Sequence, residues 1–270
     1  MRIVANGISI NYEVAGSGKC LILIHGMGDN LGAWYNQVPV FSQRYRVLTY
    51  DVRGHGETEA PEGEFSADIW MEDLHGLLEA LGINKAYVLG YSMGGMIALP
   101  LALRYPEMVE ALILANSGGA RPPVMSEEAM REAAERRRIM LERVEKEGLA
   151  ATIDESTAMM FSPGFPEKNR EAYERYKAVR LRNDPQSYLR LMRSMGTMFR
   201  AAPPDLSKIQ CPTLIIGGEF DGLMGAEGAK VTQQAIAGSQ LKIMPTGHAS
   251  AIEQPEEFNN TVTGFLARLG

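Results

Sequence analysis

The stretch that most constrains this chain lies at 86–105. An apolar run ("AYVL", 86–89) stops at Gly90, a single serine, Ser92, follows between glycines, and an apolar helix-like run begins at once ("MGGMIALPLALRY"). A short, continuously apolar run reads as a strand buried on both faces, so helices must cover the sheet on both sides. Runs of the same kind recur at 20–24 ("CLILI"), 45–50 ("YRVLTY"), 111–116 ("ALILAN"), 212–218 ("PTLIIGG") and 240–245 ("QLKIMP"). Residues 8–14 ("ISINYEV") instead alternate apolar and polar, as a half-exposed strand does. Helix-like segments at 66–81, 94–105 and 255–269 are spaced among them. The expected class is α/β, with a mostly parallel central sheet and helices on both faces.

Between 117 and 204 the pattern changes. "SEEAMREAAERRRIMLERVEKEG" (126–148) reads as one long helix, with Ser126 as its N-cap and Gly148 as its stop. Further helices are expected at 149–160, 167–182 and 185–199, and no strand. The chain therefore divides into core (1–116), helical insertion (117–204) and core again (205–270). The 270 residues carry a formal net charge of −6, which argues against nucleic acid as a partner, because phosphate binding needs a concentrated positive surface. The first residues lack the charged start and apolar block of a signal peptide, and the apolar runs are too short to cross a bilayer. These features predict a soluble, cytoplasmic protein with no membrane partner; the oligomeric state is left open. Cys20 and Cys211 each open a strand-like run and read as small apolar thiols, and no Cys–His spacing suggests a metal site.

The chemistry gathers where strands end. Gly-Tyr-Ser-Met-Gly between a strand and a helix is the nucleophile-elbow pattern, in which glycines let helix and strand approach and the helix N-terminus faces developing negative charge. A capping serine in a tight turn is the plain alternative. A serine nucleophile needs a base. His75 lies in a charged helical stretch; His25, His55 and His248 all follow strands, and position alone does not choose among them. His248 ("TGHAS") is one candidate base among the three. Its orienting carboxylate would be Asp221, after the strand at 213–217, with Glu219 as a competitor. An oxyanion hole needs two backbone N–H groups, expected from Met93 and Met27, the latter in "HGMGDN" (25–30).

With "HGMGDN", "DVRGHGET", "GYSMGG", "GGEFD" and "GHAS" in this order, the chain resembles the α/β-hydrolase superfamily along nearly its whole length. It is most similar to 3-oxoadipate enol-lactonases and small carboxylesterases. The resemblance implies an α/β-hydrolase fold and a Ser92–His248–Asp221 triad. It also implies that His25 and His55 shape loops and that 117–204 forms a cap. Serine at the elbow argues against the branches that use aspartate there, the haloalkane dehalogenases and epoxide hydrolases. The sequence departs from the family in lacking a proline soon after the acid ("DGLMG"). The expected function is cofactor-free hydrolysis of a carboxylic ester through an acyl-enzyme. Lactone or carbon–carbon bond hydrolysis is the alternative, and a small-molecule binding protein on the same scaffold is a third reading. Candidate substrate contacts are His25, Gly26, Met159 and Met195, the methionines belonging to a methionine-rich cap. Arg121, Arg180, Arg182 and Arg190 are candidates for binding a substrate carboxylate.

Overall fold

The computed structural model describes residues 1–63, 65–118, 127–198 and 204–270. Eight strands form one sheet: β1 (Arg2–Ala5), β2 (Ile8–Ala15), β3 (Cys20–Ile24), β4 (Arg46–Tyr50), β5 (Ala86–Tyr91), β6 (Val109–Ala115), β7 (Thr213–Gly218) and β8 (Gln240–Met244). Their order across the sheet is β1-β2-β4-β3-β5-β6-β7-β8. The β1–β2 and β2–β4 pairs are antiparallel, and every later pair is parallel. The helices are α1 (Val38–Phe41), α2 (Ala67–Ala80), α3 (Met93–Arg104), α4 (Glu127–Glu147), α5 (Ala150–Ala158), α6 (Phe165–Lys168), α7 (Arg170–Arg180), α8 (Pro185–Met198), α9 (Gly225–Ala235), α10 (Ser250–Glu253) and α11 (Pro255–Leu266).

The period of two within each strand divides the core. In β3, which is buried throughout, Ile22 and Ile24 join a cluster with Trp70, Met71 and Leu74 of α2 and Ile97 and Leu101 of α3. Leu21 and Leu23 join the opposite cluster, with Phe258, Val262 and Phe265 of α11. Helices on both faces explain why β3, β5 and β7 read as continuous apolar runs rather than alternating ones. Strand β2 sits near the edge and alternates, as expected. Helix α2 starts where Ser66 Oγ accepts the Ile69 N–H (3.2 Å). No helix among the described residues is long and apolar enough to cross a membrane.

Helices α4–α8 lie between β6 and β7 in the chain. Val144 of α4, Leu149 and Ile153 beside and in α5, and Tyr188 and Leu189 of α8 make a small core of their own. Helix α7 leaves that group, placing Tyr173, Tyr176 and Val179 with Trp34 and Tyr91 in the cluster that includes α11. The single helix expected at 167–182 is two, because Asn169 leaves helical geometry (φ −128°, ψ 52°) between α6 and α7. Strand β1 and helix α9 were not anticipated. Strand β1 is mostly exposed and carries no clear period, and α9 contains Gly225 and Gly228, poor helix formers held by Ala229 and Thr232 against the sheet. The expected N-cap Ser126 lies outside the described residues.

Phe258 of α11 is fully buried. Phe258→Ala is expected to cost about 3–5 kcal/mol, against about 1 kcal/mol for removing the α2 cap with Ser66→Ala. Urea unfolding midpoints read both, and a cap effect as large as the cavity effect would contradict this account of the core.

Candidate active site

Parallel pairing brings the carboxyl ends of β3, β5, β6, β7 and β8 to one rim of the sheet. The register is direct: Ile24 pairs with Gly90, Tyr91 with Ala115, Ala115 with Ile216, and Gly218 with Met244. The loops leaving these ends carry His25, Ser92, Asn116, Asp221 and His248.

Ser92 stands at the corner between β5 and α3 with φ 51° and ψ −115°, a region that non-glycine residues occupy at a cost of about 1–3 kcal/mol. The surroundings hold it there. Its N–H donates to Ala115 O (2.9 Å), and its carbonyl accepts from Gly95 N (3.0 Å) and Ser117 Oγ (2.7 Å). A Cβ at Gly90 would meet Gly94 O at 2.4 Å, and one at Gly94 would meet Ile24 O at 2.3 Å. Strand and helix thus touch backbone to backbone, which only glycine permits.

Ser92 Oγ is 2.8 Å from His248 Nε2, and His248 Nδ1 is 2.8 Å from Asp221 Oδ2. His248 and Asp221 are buried, while Ser92 is partly exposed. With its Nδ1–H donating to the carboxylate, the imidazole presents Nε2 as the acceptor for the serine hydroxyl. Asp221 is held from several sides. Its Oδ1 accepts the amides of Leu223 (2.9 Å) and Met224 (3.0 Å), and its Oδ2 also accepts from Asn116 Nδ2 (3.2 Å). Burial pushes the carboxyl up, but the His248 hydrogen bond and these amides outweigh it and hold Asp221 below the usual carboxylate range. The loop "DGLMG" fixes the acid through backbone amides, without the family's proline. Glu219, the competing carboxylate, is exposed.

Asn116, which ends the run at 111–116, was not foreseen. Its Nδ2 also reaches Gly247 O (3.3 Å), and its Oδ1 accepts from Ser250 Oγ (2.5 Å), which in turn accepts from Thr246 Oγ1 (3.0 Å). A polar residue ending a strand at the same rim was the available signal. Glu253 was missed as well. Its Oε1 accepts from Gly247 N (2.6 Å) and its Oε2 from Ser162 Oγ (2.5 Å), joining the His248 loop to the insertion.

Met93 is the first residue of α3, so its N–H has no acceptor within the helix. Met27 lies in the turn between Gly26 and Gly28, whose φ is 74°. The expected substrate contacts lie in different surroundings. His25 is fully buried; its Nε2 accepts from Val52 N (3.0 Å) and its Nδ1 donates to Gly26 O (2.8 Å), so both nitrogens hold loops and neither is offered to a substrate. Gly26 is pressed against Tyr91, 2.7 Å from where a Cβ would stand. Met159 is 60% exposed at the end of α5. The Met195 side chain and Arg121 lie outside the described residues. Arg180 is buried beside Asp29 (3.7 Å), and Arg190 donates to the carbonyls of Ala60 (2.7 Å) and Pro61 (3.0 Å). Arg182 Nη1 lies 3.0 Å from where a Cβ on Gly32 would stand.

Against this geometry, comparison with known proteins places the chain. A family model described as the alpha/beta hydrolase fold matches residues 19–255, and the chain belongs to that family. It is 28% identical to 3-oxoadipate enol-lactonase 2 of Acinetobacter baylyi over 98% of its own length and 96% of the relative's. It is 30% identical to a 2-hydroxy-6-oxo-6-(2'-aminophenyl)hexa-2,4-dienoic acid hydrolase of Metapseudomonas resinovorans, covering 98% of this chain and 89% of that one. A thermophilic esterase from Thermogutta terrifontis superposes with a TM-score of 0.85 at 28% identity, covering 100% of this chain and 98% of that chain.

Burial also governs two histidines outside the triad. It lowers His25 to about 4, and burial with the neighbouring His25 lowers His55 to about 3; the two rings meet edge to face at 4.9 Å. Between pH 7 and 5 the unfolded chain takes protons at these positions and the folded chain does not, so stability falls as pH falls. The loss at pH 5 is on the order of 2 kcal/mol for each ring. Asp221 does not offset this, since a lowered carboxyl loses its contribution only below the ordinary carboxylate range. The raised carboxyls of Asp29 and Glu253, both pushed up by burial, act the other way. The difference between wild type and His55→Phe isolates the histidine: the variant is expected to lose less stability between pH 7 and 5 in urea titrations, and equal losses would contradict the assignment.

Proposed function

We propose that the chain is a serine carboxylester hydrolase that works through an acyl-enzyme. The observation that carries this reading is the continuous hydrogen-bonded chain Ser92 Oγ–His248–Asp221, with both links at 2.8 Å. Ser92 Oγ attacks the ester carbonyl while His248 Nε2 takes its proton, and Asp221 stabilises the imidazolium that forms. The amides of Met27 and Met93 receive the oxyanion. His248 returns the proton to the leaving alcohol, then activates a water that attacks the acyl-enzyme. No cofactor is required in this sequence of steps.

An enol-lactone is a cyclic ester, so the activity named for the Acinetobacter relative fits the same chemistry, and the Thermogutta neighbour is an esterase. The 30% identity to the dienoic acid hydrolase favours a second reading, in which the same residues hydrolyse a carbon–carbon bond. A panel of p-nitrophenyl acetate, longer esters, lactones and a dienoic keto acid ranks these by kcat/KM. The expected result is turnover of short esters or lactones with a burst of p-nitrophenol. Ser92→Ala is expected to abolish the burst, and Asp221→Asn to lower kcat about 10⁴-fold by upsetting the imidazole tautomer. Turnover of the keto acid alone would replace the first reading with the second. Binding without turnover of any compound would replace both with a binding protein.

A further inference from the structure

The loop that carries Met27 is held from the insertion side by a buried polar cluster. Asn183 Nδ2 donates to Gly28 O (2.7 Å), Asn30 Nδ2 donates to Val179 O (2.7 Å), and Tyr176 Oη donates to Asp29 Oδ1 (2.7 Å). Arg180 Nε stands 3.7 Å from Asp29 Oδ1, and Arg180 Nη1 donates to Thr157 Oγ1 (2.8 Å). Asp29, Asn30, Tyr176, Arg180 and Asn183 are each no more than 4% exposed. Arg180 Nη2 also covers Gly28, 3.2 Å from where a Cβ would stand.

A hydrophobic set of the same volume would serve stability as well as a buried ion pair does, because removing two charges from water offsets much of their attraction. What a hydrophobic set lacks is direction. Hydrogen bonds fix position and angle together, and these act on the three residues that follow Met27. On the other side of Met27, His25 is bonded to Val52. We propose that the end of α7, through Asp29, Tyr176, Arg180 and Asn183, is a clamp by which the helical insertion sets the position of the Met27 amide. These are positioning residues, and Arg180 is committed to the clamp rather than to a substrate carboxylate. The inference rests on the reading of Met27 as an oxyanion donor.

The test uses Asp29→Asn/Arg180→Met, which removes both charges together, and Asn183→Ala, which removes the bond to Gly28 along with those to Arg180 O (3.0 Å) and from Gly56 N (2.7 Å), without touching a charge. Steady-state kinetics on p-nitrophenyl acetate and on mono-p-nitrophenyl succinate are combined with hydrogen exchange of amides 26–31 in the free protein. The expected result for either variant is about a 10²-fold fall in kcat on both esters with KM nearly unchanged, together with faster exchange across 26–31. Affinity for a trifluoromethyl ketone, which forms an oxyanion on Ser92, should fall by the same factor as kcat/KM. A rise in KM confined to the succinate ester would overturn the proposal and make Arg180 a carboxylate receptor. Unchanged kcat in a folded variant would overturn it too. If the wild type turned over neither ester, the esterase reading would fail, and exchange alone would decide the clamp: unaltered protection of 26–31 in the variants would reject it. If the double variant does not fold, Asn183→Ala carries the same comparisons.

Discussion

The close approach of β5 and α3 at Gly90 and Gly94 is the constraint on which the rest of the site depends. Two backbones meet at a distance that excludes a Cβ, and Ser92 is left at the apex with φ 51°. A side chain at either glycine would have to move the helix or the strand, and the serine with it. The strained corner persists because Ala115, Gly95 and Ser117 bond the serine's own backbone. The same corner sets the serine hydroxyl and the first amide of α3 side by side, so the proposed nucleophile and one proposed oxyanion donor share a single structural cause.

Around that corner the fold works by ordering loops rather than by adding core. The Asp221 loop is fixed by its own amides and by Asn116, and Asn116 by Ser250. The insertion is fastened to loops at the rim. Glu253 and the bond from Ala249 N to Met160 O (2.8 Å) tie it to the His248 loop, and the α7 end ties it to the loop of Met27. Most ion pairs on α4, such as Arg138 with Glu135 and Glu142, are exposed and contribute little. The buried contacts are the ones that relate insertion to site.

Much of this was legible in the sequence because a parallel sheet covered on both faces imposes a simple pattern. Continuous apolar runs marked β3, β5, β6 and β7, and the residues just beyond them had to share a rim. The juxtaposition of Ser92, Asp221 and His248 follows from that topology. What escaped depends on tertiary contact. Strand β1 has no period to reveal it, and α9 forms despite two glycines because the sheet holds it. Asn116 carries no charge, and its role comes from the tertiary neighbours it bonds, Asp221, Gly247 and Ser250. His25 looked available because it follows a strand in a glycine-rich loop, yet Val52 and Gly26 occupy both its nitrogens. Arg180 looked like one of four candidates for a substrate carboxylate, but α7 packs against the loop at 28–30 and buries it with Asp29.

The central claim is that the Ser92 hydroxyl is activated by His248 and forms a covalent intermediate. Intact-protein mass spectrometry after treatment with a fluorophosphonate tests it most directly. The account predicts one adduct per chain, located on the peptide that contains Ser92, and a large loss of labelling rate in His248→Ala. Absence of an adduct, or an adduct on another residue while Ser92 stays unmodified, would contradict it.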